Sequence, residues 1–270
     1  MPGKQPSPDP QTRRGLLARP LDAFVFLLPL IIFYEFTSLA RHQDRVIAFD
    51  LLRRFFELFG QTGIWAPGLG VIAILLATHF ASGEKWRIRW RRVGLMYVEA
   101  AGLAVPLLAL NWTVPLAAWV GGGWHAQAEG AGMAALRLAM PPIVGVWPDG
   151  LDHTIQPLLD RLALGIGAGI YEELVFRLVL ISLVVMIGVD VLRLRQTTVA
   201  VVAVAISSLV FAAHHHPPIG TEPFALVPFM FRAIAGVYLA LVFWYRGYGP
   251  AAGCHAAYNV ALAFLGSEVS

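Results

Sequence analysis

The sequence predicts an all-α protein: a polytopic membrane helix bundle of seven or eight transmembrane helices, with one further amphipathic helix at the membrane interface. Three observations predict this class. Hydrophobic residues make up 57% of the 270 residues and charged residues only 14%, whereas a soluble domain has about 25% charged residues. Seven apolar runs are 17 to 32 residues long, within or above the length that crosses the hydrocarbon core of a bilayer. Most basic residues flank those runs, as residues that determine membrane topology do.

The composition also excludes several classes of function. The net charge is only +3 and the basic residues lie at the ends of apolar runs, so nucleic acid is not a predicted partner. Cys254 is the single cysteine, which excludes a disulfide within the chain. The sequence contains no phosphate-binding Walker loop, no dinucleotide-binding fingerprint and no CxxC pair.

The chain begins with a basic tail and a first apolar run. Residues 1–20 contain prolines and four basic residues, and we expect a disordered cytoplasmic tail there. Residues 22–40 form the first predicted span. A cleaved signal peptide is the competing interpretation, because a basic region precedes a short apolar core. The uncleaved span is preferred, because Tyr34 and Glu35 interrupt the end of that core.

Residues 21–157 are predicted to hold the N-terminal spans. Within 45–59, four charged residues recur at helical spacing among phenylalanines, which is typical of an amphipathic helix lying in the interface or capping the bundle. These are Asp50, Arg53, Arg54 and Glu57. Residues 64–82 and 93–120 are the second and third predicted spans. They flank the basic cluster 84–92, which is expected in the cytoplasm.

A long polar connection, residues 121–157, separates these spans from the C-terminal half. It contains one arginine and no lysine, so it is expected outside the cell. Residues 158–267 form a second region, a membrane core with four more predicted spans. Their apolar runs are 158–189, 198–216, 224–245 and 250–266.

The fourth predicted span carries the motif Glu172-Glu173-x-x-x-Arg177. A charge at the bilayer centre costs about 3 kcal/mol, so three charges need partners or water. Glu173 and Arg177 are four residues apart on one helix face, in the favourable order for an ion pair. Glu172 is rotated by about 100° from Glu173. The spacing therefore leaves Glu172 free to act as a general base.

Two further polar motifs lie on later spans. Phe211-x-x-x-His215 ends the fifth run, and His255-x-x-x-Asn259 lies in the seventh. His255 and Asn259 share a helix face and could hold an oxyanion. His215 could share a water molecule with Glu172 and help to activate it.

Three questions about this constellation stay open in the sequence. His214 and His216 compete with His215, although both are otherwise interpreted as interface residues. Glu172, His215 and His255 could instead bind zinc, but a zinc-protease HExxH motif is absent, and a metal-free site is preferred. Span counting also puts His215 and His255 on opposite membrane faces, unless the span boundaries shift.

The ordered set EExxxR, FxxxH and HxxxN resembles the CPBP family, also called the Abi or CAAX-protease family, which is related to the type II CAAX prenyl endopeptidase. The resemblance covers about residues 160–265 and includes Ser207-Ser208 ahead of Phe211. It implies an intramembrane glutamic endopeptidase. Glu172 would be the base and His215 its helper. His255 and Asn259 would hold the oxyanion, with Glu173, Arg177 and Phe211 in support.

We therefore expect an integral membrane peptidase, in a bacterial-type inner membrane with a cytoplasmic N-terminus, acting on a membrane-associated peptide or protein. No cofactor is required by this interpretation, and zinc is the alternative. A second class of function is a non-catalytic transporter, or a scaffold that gives immunity to a peptide or toxin. The pairing of His255 with Asn259 favours the peptidase, because a transporter has no evident need for an oxyanion site.

Overall fold

The computed structural model describes residues 20–41, 66–120, 155–220 and 222–265. Three expectations lie wholly or almost wholly outside these ranges. They are the disordered tail, the amphipathic helix at 45–59 and the long connection at 121–157. Within the described ranges the chain is helical, with short connections. The all-α prediction is therefore confirmed for this part of the chain.

The helices follow the seven predicted apolar runs closely. In chain order they are α1 (Pro20–Arg41), α2 (Ala66–Ser82), α3 (Trp90–Val120), α4 (Ile155–Glu173), a π-helical stretch (Leu174–Ile181), α5 (Ser182–Val185), a second π-helical stretch (Met186–Val191), α6 (Gln196–Ala213), α7 (Leu226–Arg246) and α8 (Tyr248–Leu265). From α4 to the second π-helical stretch the helix is continuous, so the fourth predicted span is one long helical segment.

Five described helices are long and apolar enough to cross a membrane. They cover Pro20–Ser38, Trp90–Trp112, Leu158–Val191, Gln196–Ala213 and Leu226–Arg246. The predicted second span is a shorter apolar helix, Pro67–Ser82. The seventh corresponds to α8, whose buried polar residues include His255 and Asn259. The protein is thus a multi-helix membrane protein, and the count of seven or eight spans is not confirmed.

Helix α8 lies at the centre of the bundle. It runs antiparallel to α4, with Asn259 against Gly165 and Ala256 against Gly169. A methyl group added at Gly169 would lie 2.6 Å from the Ala256 backbone nitrogen. Glycine on α4 therefore allows the two backbones to approach closely.

The predicted separation of the fifth and seventh spans is wrong. The rings of Phe211 and His255 lie 5.9 Å apart, so the FxxxH motif and the HxxxN motif lie side by side. The reason is the length of the fourth helical segment, 34 residues over Leu158–Val191, where about 20 suffice to cross a membrane. The 18 residues of α6 run back along only about half of this segment. Helix α6 therefore ends beside Glu172, before it reaches the membrane face at which the segment begins.

Candidate active site

Glu172 and Glu173 are the last two residues of α4, directly before the first π-helical stretch. Their side chains are 2% and 0% exposed. Single-turn π-helical insertions in α-helices are frequent at functional sites, because the wider turn changes the direction of the following side chains. Two carboxylates at this depth require compensation from neighbouring helices.

Glu173 has two partners, one for each carboxylate oxygen. Its Oε2 lies 3.2 Å from Arg177 Nε, which confirms the ion pair predicted from the spacing. Its Oε1 accepts a hydrogen bond from His255 Nδ1 at 3.0 Å. Glu173 therefore links the first motif to the third, and it fixes the orientation of the His255 ring.

Arg177 is completely buried and is held from two further directions. Its guanidinium carbon lies 4.3 Å from the centre of the Phe211 ring, a cation–π contact. Its Nη2 donates to the Gly236 carbonyl oxygen of α7 at 3.4 Å. The Phe211 ring, which is fully buried, also contacts the rings of His214, His215 and His255. Phe211 is thus the packing centre of the cluster.

Glu172 faces two imidazoles without a direct hydrogen bond to either. Its Oε1 lies 3.6 Å from His214 Nε2, and its Oε2 lies 4.0 Å from His255 Nε2. Both separations exceed hydrogen-bond length. Among the described residues, Glu172 Oε2, His214 Nε2 and His255 Nε2 are buried without a hydrogen-bond partner. The geometry leaves one carboxylate between two imidazole nitrogens, each with free bonding capacity.

Two histidines, not one, stand at the end of α6. The Nδ1 atoms of His214 and His215 lie 2.5 and 3.0 Å from the Phe211 carbonyl oxygen. Because a carbonyl only accepts, each Nδ1 carries the proton in this arrangement and each Nε2 is left as the basic nitrogen. His214 is 3% exposed, so its interpretation as an interface residue is wrong. The Phe211 spacing alone could not show this.

His216 belongs to a different contact. Its Nδ1 lies 3.0 Å from the carbonyl oxygen of Glu222, so that nitrogen donates to the loop that follows α6. Its side chain is 5% exposed, and its ring contacts Phe224 and Phe229. His216 is therefore also buried rather than an interface residue.

A divalent metal ion would fit this cluster. One ligand atom each from Glu172, His214 and His215 lies within 4.8 Å of the other two. This set differs from the predicted zinc set, in which His255 took the place of His214. Two imidazoles and one carboxylate are a known catalytic zinc set. The shared Phe211 carbonyl is the kind of outer-shell acceptor that metal-binding histidines use.

Asn259 lies on the same helix as His255 but contacts another part of α4. Its Nδ2 donates to the Gly165 carbonyl oxygen at 3.1 Å, and its Oδ1 is buried without a hydrogen-bond partner among the described residues. The structure therefore brings Glu172, His214, His215 and His255 together. It places Asn259 at the edge of that cluster, against Gly165, seven residues before Glu172.

An ion pair that the motifs do not include borders the site. Arg232 on α7 binds both carboxylate oxygens of Glu222, at 2.9 and 2.7 Å. Arg232 is 1% exposed. The sequence held a signal for it, because Arg232 interrupts the apolar run 224–245 and a charge there needs a partner.

Comparisons with known proteins agree with the three motifs. Residues 154–261 match the family model described as type II CAAX prenyl endopeptidase Rce1-like. Neither the curated proteins nor the solved structures gave a match. The matched segment contains the two glutamates, the histidines of α6 and the His255–Asn259 pair. The match supports assigning residues 154–261 to the CPBP, or CAAX protease, family, and five described helices are long and apolar enough to cross a membrane.

Proposed function

We propose that the protein is an intramembrane endopeptidase in which Glu172 and the neighbouring histidines activate a water molecule. The observation that carries the proposal is the placement of Glu172. Its carboxylate is 2% exposed and lies 3.6 and 4.0 Å from two imidazole nitrogens that have no other hydrogen-bond partner among the described residues. Polar atoms separated by such distances are commonly bridged by water.

In the proposed reaction, the oxygen of this water attacks the carbonyl carbon of the scissile peptide bond. Glu172 takes one proton from the water, and His214 or His215 helps to orient it. The carbonyl oxygen becomes an oxyanion in a tetrahedral intermediate. Glu172 then passes its proton to the amide nitrogen, the carbon–nitrogen bond breaks, and the products are a carboxylate and an amine.

His255 and Asn259 are the proposed oxyanion donors. His255 donates through Nδ1 to Glu173, so donation from Nε2 requires the imidazolium form of the ring. Asn259 uses one amide hydrogen for Gly165 and keeps a second. Glu173, Arg177 and Phe211 hold these donors in place. Such preorganised donors stabilise the transition state most where water is excluded.

The substrate proposed is a peptide or protein segment associated with the membrane, because the site is enclosed by helices that cross or border the bilayer. The membrane proposed is a bacterial-type inner membrane, with the N-terminus in the cytoplasm. A metal ion held by Glu172, His214 and His215 would supply an activated water in its own right. The metal-free site is preferred, because Glu172 and His214 Nε2 can flank a water molecule without one.

The test is a peptidase assay on the purified protein in liposomes. The substrates are a library of membrane-anchored peptides, and new termini are identified by mass spectrometry. Wild-type protein should produce cuts that Glu172→Gln does not produce. The same cuts from the Glu172→Gln variant, or no cut from a folded wild-type protein across the library, would contradict the proposal.

A second arm separates the two forms of the mechanism. Wild-type protein is dialysed against a strong chelator and assayed again, with and without added Zn²⁺. The metal-free site predicts unchanged cleavage. Cleavage that disappears with the chelator and returns with Zn²⁺ would assign the water activation to a metal ion at Glu172, His214 and His215.

A further inference from the structure

The loop between α6 and α7 carries the active-site histidines at one end and a buried ion pair at the other. His214 and His215 directly follow the last residue of α6, Ala213. The His214 backbone nitrogen still donates to Val210 of α6, and both rings bond the Phe211 carbonyl oxygen. The position of the two rings over Glu172 therefore depends on the end of α6 and on the contacts that fix the loop leaving it.

Several contacts tie the loop to a single residue, Glu222. The backbone nitrogen of Glu222 donates to the His215 carbonyl oxygen at 3.2 Å. Its own carbonyl oxygen accepts from His216 Nδ1 at 3.0 Å. The loop also closes on itself tightly at Gly220, where an added methyl group would lie 2.1 Å from the His215 carbonyl oxygen. The Glu222 backbone thus holds the histidine segment at two points, the His215 carbonyl oxygen and the His216 ring.

Glu222 is in turn fixed by Arg232. The guanidinium Nη2 bonds both carboxylate oxygens, at 2.9 and 2.7 Å. Arg232 is 1% exposed and lies within the second turn of α7, and the Glu222 side chain is 18% exposed. Both bonds come from one guanidinium nitrogen, and such charge-assisted hydrogen bonds are stronger than those between neutral groups. Helix α7 itself packs against the site, since its Gly236 accepts from Arg177.

We propose that Glu222 and Arg232 are positioning residues that hold His214 and His215 at Glu172. They do not contact the reacting atoms in this proposal. Arg232 fixes Glu222, Glu222 fixes the backbone of the histidine segment, and that segment sets the 3.6 Å separation between Glu172 and His214. The inference rests on the proposed function for its effect on catalysis, but the positioning itself can be measured without any substrate.

The first experiment measures the loop directly. Histidine modification by diethyl pyrocarbonate, read by mass spectrometry, reports the exposure of each ring. In wild-type protein His214 and His215 are 3% and 1% exposed and should react slowly. In Glu222→Gln and Arg232→Gln both should react at least several-fold faster. His79 on α2, 1% exposed, is the internal control and should stay slow.

Two results would overturn the proposal in this experiment. One is an unchanged modification rate for His214 and His215 in both variants. The other is a parallel rise at His79, which would mean that the pair stabilises the whole bundle rather than the loop. Neither result depends on peptidase activity, so the failure of this inference and the failure of the proposed function are distinguishable.

The second experiment measures catalysis on a peptide that the wild-type protein cuts. Because small displacements of catalytic groups reduce rates by up to about 100-fold, Glu222→Gln should lower kcat by about 10- to 100-fold with KM nearly unchanged. Glu222→Asp, which keeps the carboxylate, should recover most of the loss. Breaking a different ion pair, Arg246 with Glu99 at the other end of α7, is the matched control, and Arg246→Gln should keep wild-type kcat.

The kinetic outcomes are also decisive. A loss in Glu222→Gln that appears only in KM would indicate a role in substrate binding and contradict positioning. An equal loss in Arg246→Gln would show that kcat responds to any broken ion pair of α7, and it would remove the special role of Arg232.

Discussion

Two adjacent glutamates in one buried turn differ in what surrounds their carboxylates. Glu173 is paired with Arg177 and accepts a hydrogen bond from His255. Glu172 has its nearest imidazole nitrogens at 3.6 and 4.0 Å. A buried carboxylate with a guanidinium and an imidazole close by contributes to a stable arrangement, whereas a carboxylate whose neighbours lie beyond hydrogen-bond length can take a proton from a water molecule between them. Substitution of Glu173 should therefore reduce stability, whereas substitution of Glu172 should reduce activity.

The first prediction concerns stability. Glu173→Gln removes the charge that compensates the completely buried Arg177, so it should destabilise the protein by about 3 kcal/mol or more. Glu172→Gln removes a carboxylate that has no partner within hydrogen-bond length. The free energy of unfolding of this variant should therefore lie within about 1 kcal/mol of the wild-type value. Denaturant unfolding in the same detergent measures both. A Glu173→Gln variant as stable as wild type would contradict the assignment of Glu173 as the structural member.

The second prediction concerns the histidines of α6. His214→Ala and His215→Ala should each lower kcat by about 100-fold or more, the range expected for loss of a general acid–base group. The sequence motif alone predicts this loss for His215 only. Folding of each variant is checked by its melting midpoint. Near-wild-type kcat for His214→Ala would show that the proximity of His214 to Glu172 has no catalytic meaning.

At the scale of single residues, the sequence identified the polar residues that form the cluster, but it predicted only some of the contacts between them. The i,i+4 spacing was enough for Glu173 and Arg177, because both lie on one helix. It could not show that Glu173 also reaches His255, since that contact depends on how α4 and α8 pack. For the same reason the spacing, which selected His215, could not show that His214 also lies beside Glu172. Only the first turn after α6, which sequence spacing does not define, decides which rings face Glu172.

At the scale of helices, the close contact between α4 and α8 carries the site. Gly165 and Gly169 face α8, at Asn259 and Ala256, and neither leaves room for a methyl group. Because α4 supplies Glu172 and Glu173 while α8 supplies His255, the distance between these two backbones sets the geometry of the cluster.

The third prediction tests this contact. Gly169→Ala would place a methyl group 2.6 Å from the backbone nitrogen of Ala256, and backbone cannot move aside as a flexible side chain can. We expect a destabilisation of about 1 to 3 kcal/mol and a lower kcat. Melting and the peptidase assay measure the two effects.

The matched control is Gly102→Ala on α3. Nothing lies within 4 Å of the position that its methyl group would take, and alanine is favoured over glycine in helices by up to about 1 kcal/mol. Gly102→Ala should therefore be neutral or stabilising. Equal behaviour of Gly169→Ala and Gly102→Ala would contradict the close packing of α4 on α8.

The sequence predicted these helices almost to the residue, because apolar runs bounded by basic or proline-rich segments are a strong signal. The sequence could not predict how far each helix is shifted along the bundle axis relative to its neighbours. The fourth span was treated as an ordinary crossing, although its apolar length already exceeded what a membrane needs. That excess allows α6 to end beside Glu172. The stagger is a property of packing, and hydropathy does not report it.

At the scale of the whole molecule, the packing directions fix which ends lie on the same membrane face. Helix α8 runs parallel to α3, since Met96 contacts Gly249 and Ala100 contacts Gly253. It runs antiparallel to α4. The start of α3 and the end of the long segment at Val191 therefore share a face. Both are flanked by arginines, as expected for a cytoplasmic face.

The fourth prediction tests this topology. Arg87→Cys and Arg195→Cys, both at exposed positions, should react with a membrane-impermeant thiol reagent only from the cytoplasmic side. The wild-type protein is the control, because Cys254 is buried and should not react from either side. Labelling of the two variants from opposite sides, in intact cells and inverted vesicles, would contradict the helix directions described above.

The proposed function depends above all on Glu172 as the proton acceptor of a membrane-embedded peptidase. This role is tested by measuring kcat for wild type and Glu172→Gln in identical liposomes, on one peptide that the wild-type protein cuts, with the melting midpoint of each. We expect a loss of about 1,000-fold or more in kcat with a nearly unchanged melting midpoint. A kcat for Glu172→Gln within tenfold of wild type would rule out this role of Glu172.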